Sequence, residues 1–136
     1  MNPNEKERAG GACPCGKAAP QALEAFARGK KCIEKAEYDA AIQEFTKAIE
    51  LDPDYAEAYL QRGFLYRMAK NKEVLAANDF AITIKLTTKA INLDPTNTKA
   101  YIDRSDAYTM QFEYDLSMKD LKEAIRLDST KVSQVK

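Results

Sequence analysis

Histidine and tryptophan are both absent from this sequence. Without histidine, the usual general base, proton shuttle and commonest metal ligand near neutral pH are missing. Long apolar runs are missing as well: the longest extends from Val74 to Ala77, far below the roughly 18 residues that mark a membrane-spanning helix. Neither sign of charge is in excess. The 21 Lys and Arg residues balance 21 Asp and Glu, so the clustered positive surplus that binds nucleic acid is not there. Cysteine is scarce: Cys13, Cys15 and Cys32 are odd in number and too few for a disulfide framework. The opening MNPNEKER has no apolar stretch that could act as a signal peptide. These last two features predict an intracellular, reducing, cytoplasmic setting.

What is present divides into two compositions. Residues 1–20 hold three Gly, three Pro and no large hydrophobe beyond Met1, too little apolar surface to offset the entropy of ordering, so a flexible tail is expected. From Gln21 onward Ala, Leu, Ile, Glu and Lys dominate, with apolar residues three and four apart, the pattern of amphipathic helices. The alternation in 81–86 sits inside a longer helical period. We therefore expect an all-α body in a single domain, large enough to fold without disulfides or a metal.

The chain also repeats itself. KAIELDP at 47–53 returns as KAINLDP at 89–95 and as EAIRLDS at 123–129, at spacings of 42 and 34 residues. Upstream lies a second shared pattern: Ala25, Gly29 and Cys32, then Tyr59, Gly63 and Tyr66, then Tyr101, Ser105 and Tyr108. Small side chains let two antiparallel helices approach closely, so Gly29 opposite Ala41 and Ser105 opposite Ser117 are expected to mark helix crossings. Asp52-Pro53 and Asp94-Pro95 end the helices before them, because Pro cannot continue the hydrogen-bond ladder. Asp54 and Glu57 have the spacing of a capping box for the next helix. Hairpins of this kind bury their apolar faces only by stacking.

These residues resemble the tetratricopeptide repeat family, whose 34-residue unit carries an aromatic, a Gly and a Tyr on its first helix, then Ala, Phe and Pro. Gly29, Ala41, Phe45 and Pro53 fall at the family's offsets, with Cys32 in place of the usual Tyr. Tyr101, Ser105, Tyr108, Ser117, Leu121 and Ala124 match in the last unit, where Ser129 stands for Pro. The resemblance implies an α-solenoid of three antiparallel helix hairpins in a right-handed superhelix. The domain would span 21–131, with repeats at about 22–55, 56–97 and 98–131, followed by a short tail at 132–136. It also implies a protein-binding scaffold or adaptor.

In such a solenoid the first helix of each pair lines the concave surface. Counting from the Gly or Ser marker, the inward positions are Phe26, Lys30 and Ile33, then Leu60, Phe64 and Arg67, then Ile102, Asp106 and Thr109. Gln61, Met68, Lys99, Asp103 and Met110 flank them, together with Leu23, Ala27, Glu34 and Glu57. A groove so lined suits an apolar peptide or amphipathic helix of another protein, with the two Met side chains adapting their shape. The alternative is that several of these residues are core.

Family members that capture chaperone C-termini hold the ligand's two carboxylates with Lys, Asn, Asn, Lys and Arg. The matching positions here are Phe26, Lys30, Gln61, Lys99 and Asp103, of which Lys99 alone is retained. Asp103 would set like charge against the ligand, so capture of such tails is not expected.

Other strings carry less. Cys13-Pro14-Cys15-Gly16 is similar to the opening of small zinc modules, but the closing pair is missing and structural zinc takes four ligands. A tail with two exposed thiols is the simpler reading; a metal shared between subunits or a redox-sensitive pair is the alternative. No phosphate loop and no nucleophile with a base is recognisable, so no catalytic residue, metal or cofactor is expected. After Leu127 too little chain remains to cover the last hairpin. Leu116, Met118 and Ile125 are then left open to a partner or to self-association, the basis of a second reading as a structural subunit or homo-oligomer.

The middle repeat has 42 residues instead of 34. One extra residue lengthens the turn around Asn71, and seven extend the second helix by about two turns without rotating its face much. A single helix from Glu73 to Leu93 is expected, with Leu75, Ile82, Leu86, Ala90 and Leu93 at helical spacing. The alternative is a loop at 83–88, rich in β-branched residues. Hydrogen exchange distinguishes them: the helix requires protected amides at 83–88, and rapid exchange there excludes it.

Overall fold

The computed structural model describes residues 19–135, with side chains to residue 129. Its described residues form six helices and no strand: α1 Pro20–Glu34, α2 Tyr38–Leu51, α3 Ala56–Met68, α4 Glu73–Leu93, α5 Thr98–Met110 and α6 Tyr114–Val135. They pair as antiparallel hairpins α1/α2, α3/α4 and α5/α6, and each second helix also packs on the first helix of the next hairpin. The result is an all-α solenoid. α6 passes the expected boundary at 131 and continues to Val135. No described helix is long and apolar enough to cross a membrane. Cys13 and Cys15 lie outside the described residues, as does the 1–18 segment of the expected tail.

The helix ends follow from local chemistry. Pro20 occupies the first turn of α1, where its missing N–H costs nothing. Within each hairpin the turn contains one left-handed residue that is not glycine: Ala36, Asn71 and Phe112, at φ of 60°, 60° and 65°. At the first, the Glu37 amide donates to the Cys32 carbonyl (2.8 Å) and the Ala36 amide to Ile33 (2.9 Å); the third turn repeats both bonds. Asn71 comes eight residues after Gly63, whereas Ala36 comes seven after Gly29, which locates the extra turn residue. Between hairpins the expected Asp54 cap is not formed. α3 is preceded by Tyr55 without a side-chain cap, and it is Asp52 Oδ1 that accepts from the Asp54 amide at 3.1 Å. Asp94 repeats this turn with Thr96.

Close approach governs each hairpin. A Cβ on Gly29 would lie 2.6 Å from the Phe45 ring, and one on Gly63 2.8 Å from Phe80. The tightest neighbour of Gly29 is thus Phe45, one turn beyond the expected Ala41. The third hairpin solves the crossing differently. Ser105 replaces Gly, Leu121 replaces Phe, and the Ser105 and Ser117 hydroxyls hydrogen-bond at 2.8 Å.

α4 is one helix of 21 residues. Its buried face comprises Ala76, Asp79, Phe80, Thr83, Thr87 and Ile91, whereas Leu75 and Leu93 of the expected stripe are exposed. The β-branched threonines fit because their hydroxyls donate back along the helix, Thr83 to the Asp79 carbonyl (2.8 Å) and Thr87 to Thr83 (2.7 Å).

Arginines tie the hairpins together. Arg62 donates two hydrogen bonds to Asp79 of its own hairpin (2.8 and 2.9 Å) and one to Thr46 of the preceding hairpin (3.1 Å). Arg104 does the same with Asp120 (2.8 and 2.7 Å) and Thr88 (3.1 Å). On α2 the two partner positions, Glu44 and Thr46, are two apart; on α4 Asp79 and Thr88 are nine apart. The difference is the seven-residue extension, so α5 sits about 10 Å farther along α4 than α3 does along α2. Ala107, near the end of α5, joins Leu60, Ala76 and Phe80 in one buried cluster, as Leu65 of α3 joins Phe26, Ala41 and Phe45.

Gly29→Ala is expected to lose about 1–3 kcal/mol in urea unfolding although Ala favours helix, because the added methyl would overlap the fully buried Phe45 ring. Adding Phe45→Leu, the pairing nearest to the third hairpin's, should recover part of that loss.

Candidate functional site

The positions expected to face a ligand separate into open and closed ones. On α1, Leu23 is 50% exposed, on α3 Met68 is 64% exposed and on α5 Ile102 is 39% exposed. Lys30 and Asp106 are also exposed, and Ile33, Gln61, Phe64 and Met110 are half-buried. Phe26 and Leu60 belong instead to the core. The Phe26 ring stacks 5.0 Å from Tyr55 and packs 5.3 Å from Phe45, with the Lys30 ammonium over it. Leu60 is buried in a cluster with Ala76, Phe80 and Ala107 of α5.

Two expected cationic positions are engaged within the molecule. Arg67 donates to the Met110 carbonyl and lies over the Phe112 ring at 5.3 Å. Lys99 Nζ is 3.2 Å from Asp103 and 3.3 Å from Glu57. Asp103 itself is buried.

The Lys99 pair borders a cleft of about 190 Å³. Its walls are the starts of α3 (Tyr55, Glu57) and α5 (Lys99, Asp103), and its floor is the distal half of α4 (Leu86, Thr87, Ala90). Thr87 precedes Pro95 by eight residues, as Phe45 precedes Pro53. A small side chain thus stands on the extension where α2 carries an aromatic ring. Burial pushes the Asp103 carboxyl up to about 6, against the pull of Lys99. Burial raises Asp106 in the same direction.

Tyr55, Leu86, Thr87 and Ala90 were not among the sequence candidates. The signal that could have found the last three is the seven-residue extension, which must present new side chains between α3 and α5. The arginine ties were missed too, although Arg28, Arg62 and Arg104 each precede the Gly or Ser marker. Among the described residues there is no group of His, Cys, Asp or Glu side chains able to hold a metal ion.

The TPR repeat profile matches residues 29–68, and a tetratricopeptide repeat profile matches residues 98–131. Among solved structures, the first TPR of Spaghetti (RPAP3) bound to HSP90 peptide SRMEEVD superimposes with a TM-score of 0.55 at 23% identity, over 88% of this chain and 96% of that one. The second TPR of Spaghetti, bound to the same peptide, gives 0.52 at 25% identity over 79% and 93%. The second TPR domain of human RPAP3, in complex with HSP70 peptide SGPTIEEVD, gives 0.51 at 25% identity over 80% and 84%. No curated protein sequence matches this chain.

Because the native Asp103 carboxyl holds its proton to higher pH than the unfolded one, its ionisation on raising the pH from about 4 through 6 destabilises the fold. Asp103→Asn, which still accepts from Lys99, should gain on the wild type by about 1–2 kcal/mol across that range. Urea midpoints at pH 4.5 and 7.5 provide the measurement.

Proposed function

The chain belongs to the tetratricopeptide repeat family, and we propose that it is a non-enzymatic adaptor that binds a peptide or amphipathic helix of another protein on its first helices. The observation that carries this reading is the set of open apolar side chains there: Leu23 on α1, Met68 on α3 and Ile102 on α5, with Phe64 and Met110 half-exposed beside them. Unbranched Met side chains conform to irregular ligands. The similar RPAP3 domains, which bind HSP90 and HSP70 peptides, support a protein ligand for this chain as well.

The ligand's chemistry is expected to differ from those acidic peptides. Phe26 is core, Asp103 is an acid, and Lys99 is already bridged by two carboxylates. Further negative charge at Lys99 would meet the Glu57 and Asp103 carboxylates already beside it. The cleft beside this pair, with its apolar floor, extends the same surface and suits an apolar anchor side chain. The open face of α6 favours a second mode of contact.

Met68→Asp combined with Ile102→Asp should reduce partner capture at least tenfold while leaving the helical circular dichroism unchanged, since both residues are exposed; undiminished capture counts against the reading. Leu60 is unsuitable for such a test because it is core. A synthetic acidic peptide ending in a free carboxylate should show no saturable binding in the micromolar range, and micromolar affinity would overturn the exclusion of chaperone-type tails.

A further inference from the structure

The second helix of each hairpin has a face that receives the next hairpin, and in this chain it can be compared three times. On α2 that face is Ile42, Thr46 and Ile49. Both Ile are half-buried against a cluster containing Ala58 and Leu65 of α3, and Thr46 accepts from Arg62. On α4 the corresponding residues, counted from Pro95, are Ile84, Thr88 and Ile91. Ile84 packs in the cluster with Ala107, Ile91 is buried, and Thr88 accepts from Arg104. On α6 the same count from Ser129 gives Met118, Lys122 and Ile125. Met118 is 53% and Ile125 64% exposed, and Lys122 is exposed between them. The face is the continuation of two interfaces that exist inside the molecule.

The helices that fill such faces share a pattern. α3 offers Ala58, Arg62 and Leu65, and α5 offers Ala100, Arg104 and Ala107: apolar, Arg and apolar, four and three apart. The corresponding residues of α1 are Glu24, Arg28 and Lys31. The first hairpin of a second copy would therefore place two charges on Met118 and Ile125 and set Arg28 against Lys122. A two-fold pairing of α6 with itself fares no better. Lys122 lies midway between Met118 and Ile125, so the symmetry axis would bring it against its own copy. Both self-pairings bury like charge or leave charge on apolar surface.

We propose that the α6 face is a docking site for a helix of a different protein, with apolar residues at i and i+7 and an acidic residue at i+4, where the internal helices carry Arg. Lys122 in place of Thr46 and Thr88 reverses the charge required of the incoming helix; Met118 and Ile125 supply the apolar contact. This surface is separate from that formed by the first helices, so the two are tested independently.

Two lactam-stabilised peptides with the sequence of residues 56–68, one unchanged and one carrying Arg62→Glu, serve as probes titrated onto the full chain by fluorescence anisotropy. The Arg62→Glu peptide should bind at least tenfold more tightly than the unchanged one, Ile125→Asp in the protein should weaken it at least tenfold, and Lys122→Glu should invert the preference. Because both protein substitutions are at exposed positions, circular dichroism should be unchanged. Absence of saturable binding, equal affinity for the two peptides, or insensitivity to Lys122→Glu would overturn the proposal. So would a wild-type dimer in light scattering that Ile125→Asp dissolves, since the occupant would then be a second copy.

Discussion

Each later hairpin is joined to its predecessor by one guanidinium shared between two second helices. Arg62 and Arg104 sit mostly shielded, with carboxylate partners almost wholly buried, and each takes a hydroxyl from the hairpin before. Two rings flank each arginine, Tyr59 and Tyr66 in one case and Tyr101 and Tyr108 in the other. Tyr59 and Tyr101 in turn donate to the Pro53 and Pro95 carbonyls at the preceding turn. A buried pair of this type costs about 3–5 kcal/mol when one member is removed, because the other is stranded. Its planar, bidentate geometry also specifies how successive hairpins align. Among the described residues no hairpin lies before the first, and its equivalent pair, Arg28 with Glu44, is much more exposed to solvent, where such contacts contribute little.

That constraint explains why the long α4 changes the surface rather than merely lengthening a rod. Arg62 takes its acid from the proximal half of α4, Arg104 its hydroxyl from the distal half, and the interval between them decides where α5 lies. Displacing α5 opens the cleft whose floor is Leu86, Thr87 and Ala90.

Much of the architecture could be read from residue spacing. Gly29, Gly63 and Ser105 identify the hairpin crossings because only small side chains permit the approach of Phe45, Phe80 and Ser117, and the Asp-Pro pairs end helices through local backbone chemistry. The division of the first-helix positions into open and closed could not be read in this way. Phe26 depends on Tyr55 and Leu60 on Ala107, and both covers come from other elements whose placement is a tertiary result. The helix-ending turns were also opaque, since Ala36 and Phe112 take left-handed conformations in which glycine is the usual sign. Asp79 and Asp120 illustrate the remaining difficulty: as sequence they resemble any solvated helix acid, and only the arginine sixteen or seventeen residues earlier distinguishes them.

A seven-residue insert turns a helical face by only about 20° from its starting direction, whereas three or four residues miss by about 60° or 40°. With both halves of α4 committed to arginines on different hairpins, a change in its length keeps both ties only in discrete steps. Seven is such a step and eleven is the next, and intermediate lengths would aim Thr88 away from Arg104. Each such step would carry the third hairpin about two or three turns along α4 with Thr88 still facing Arg104.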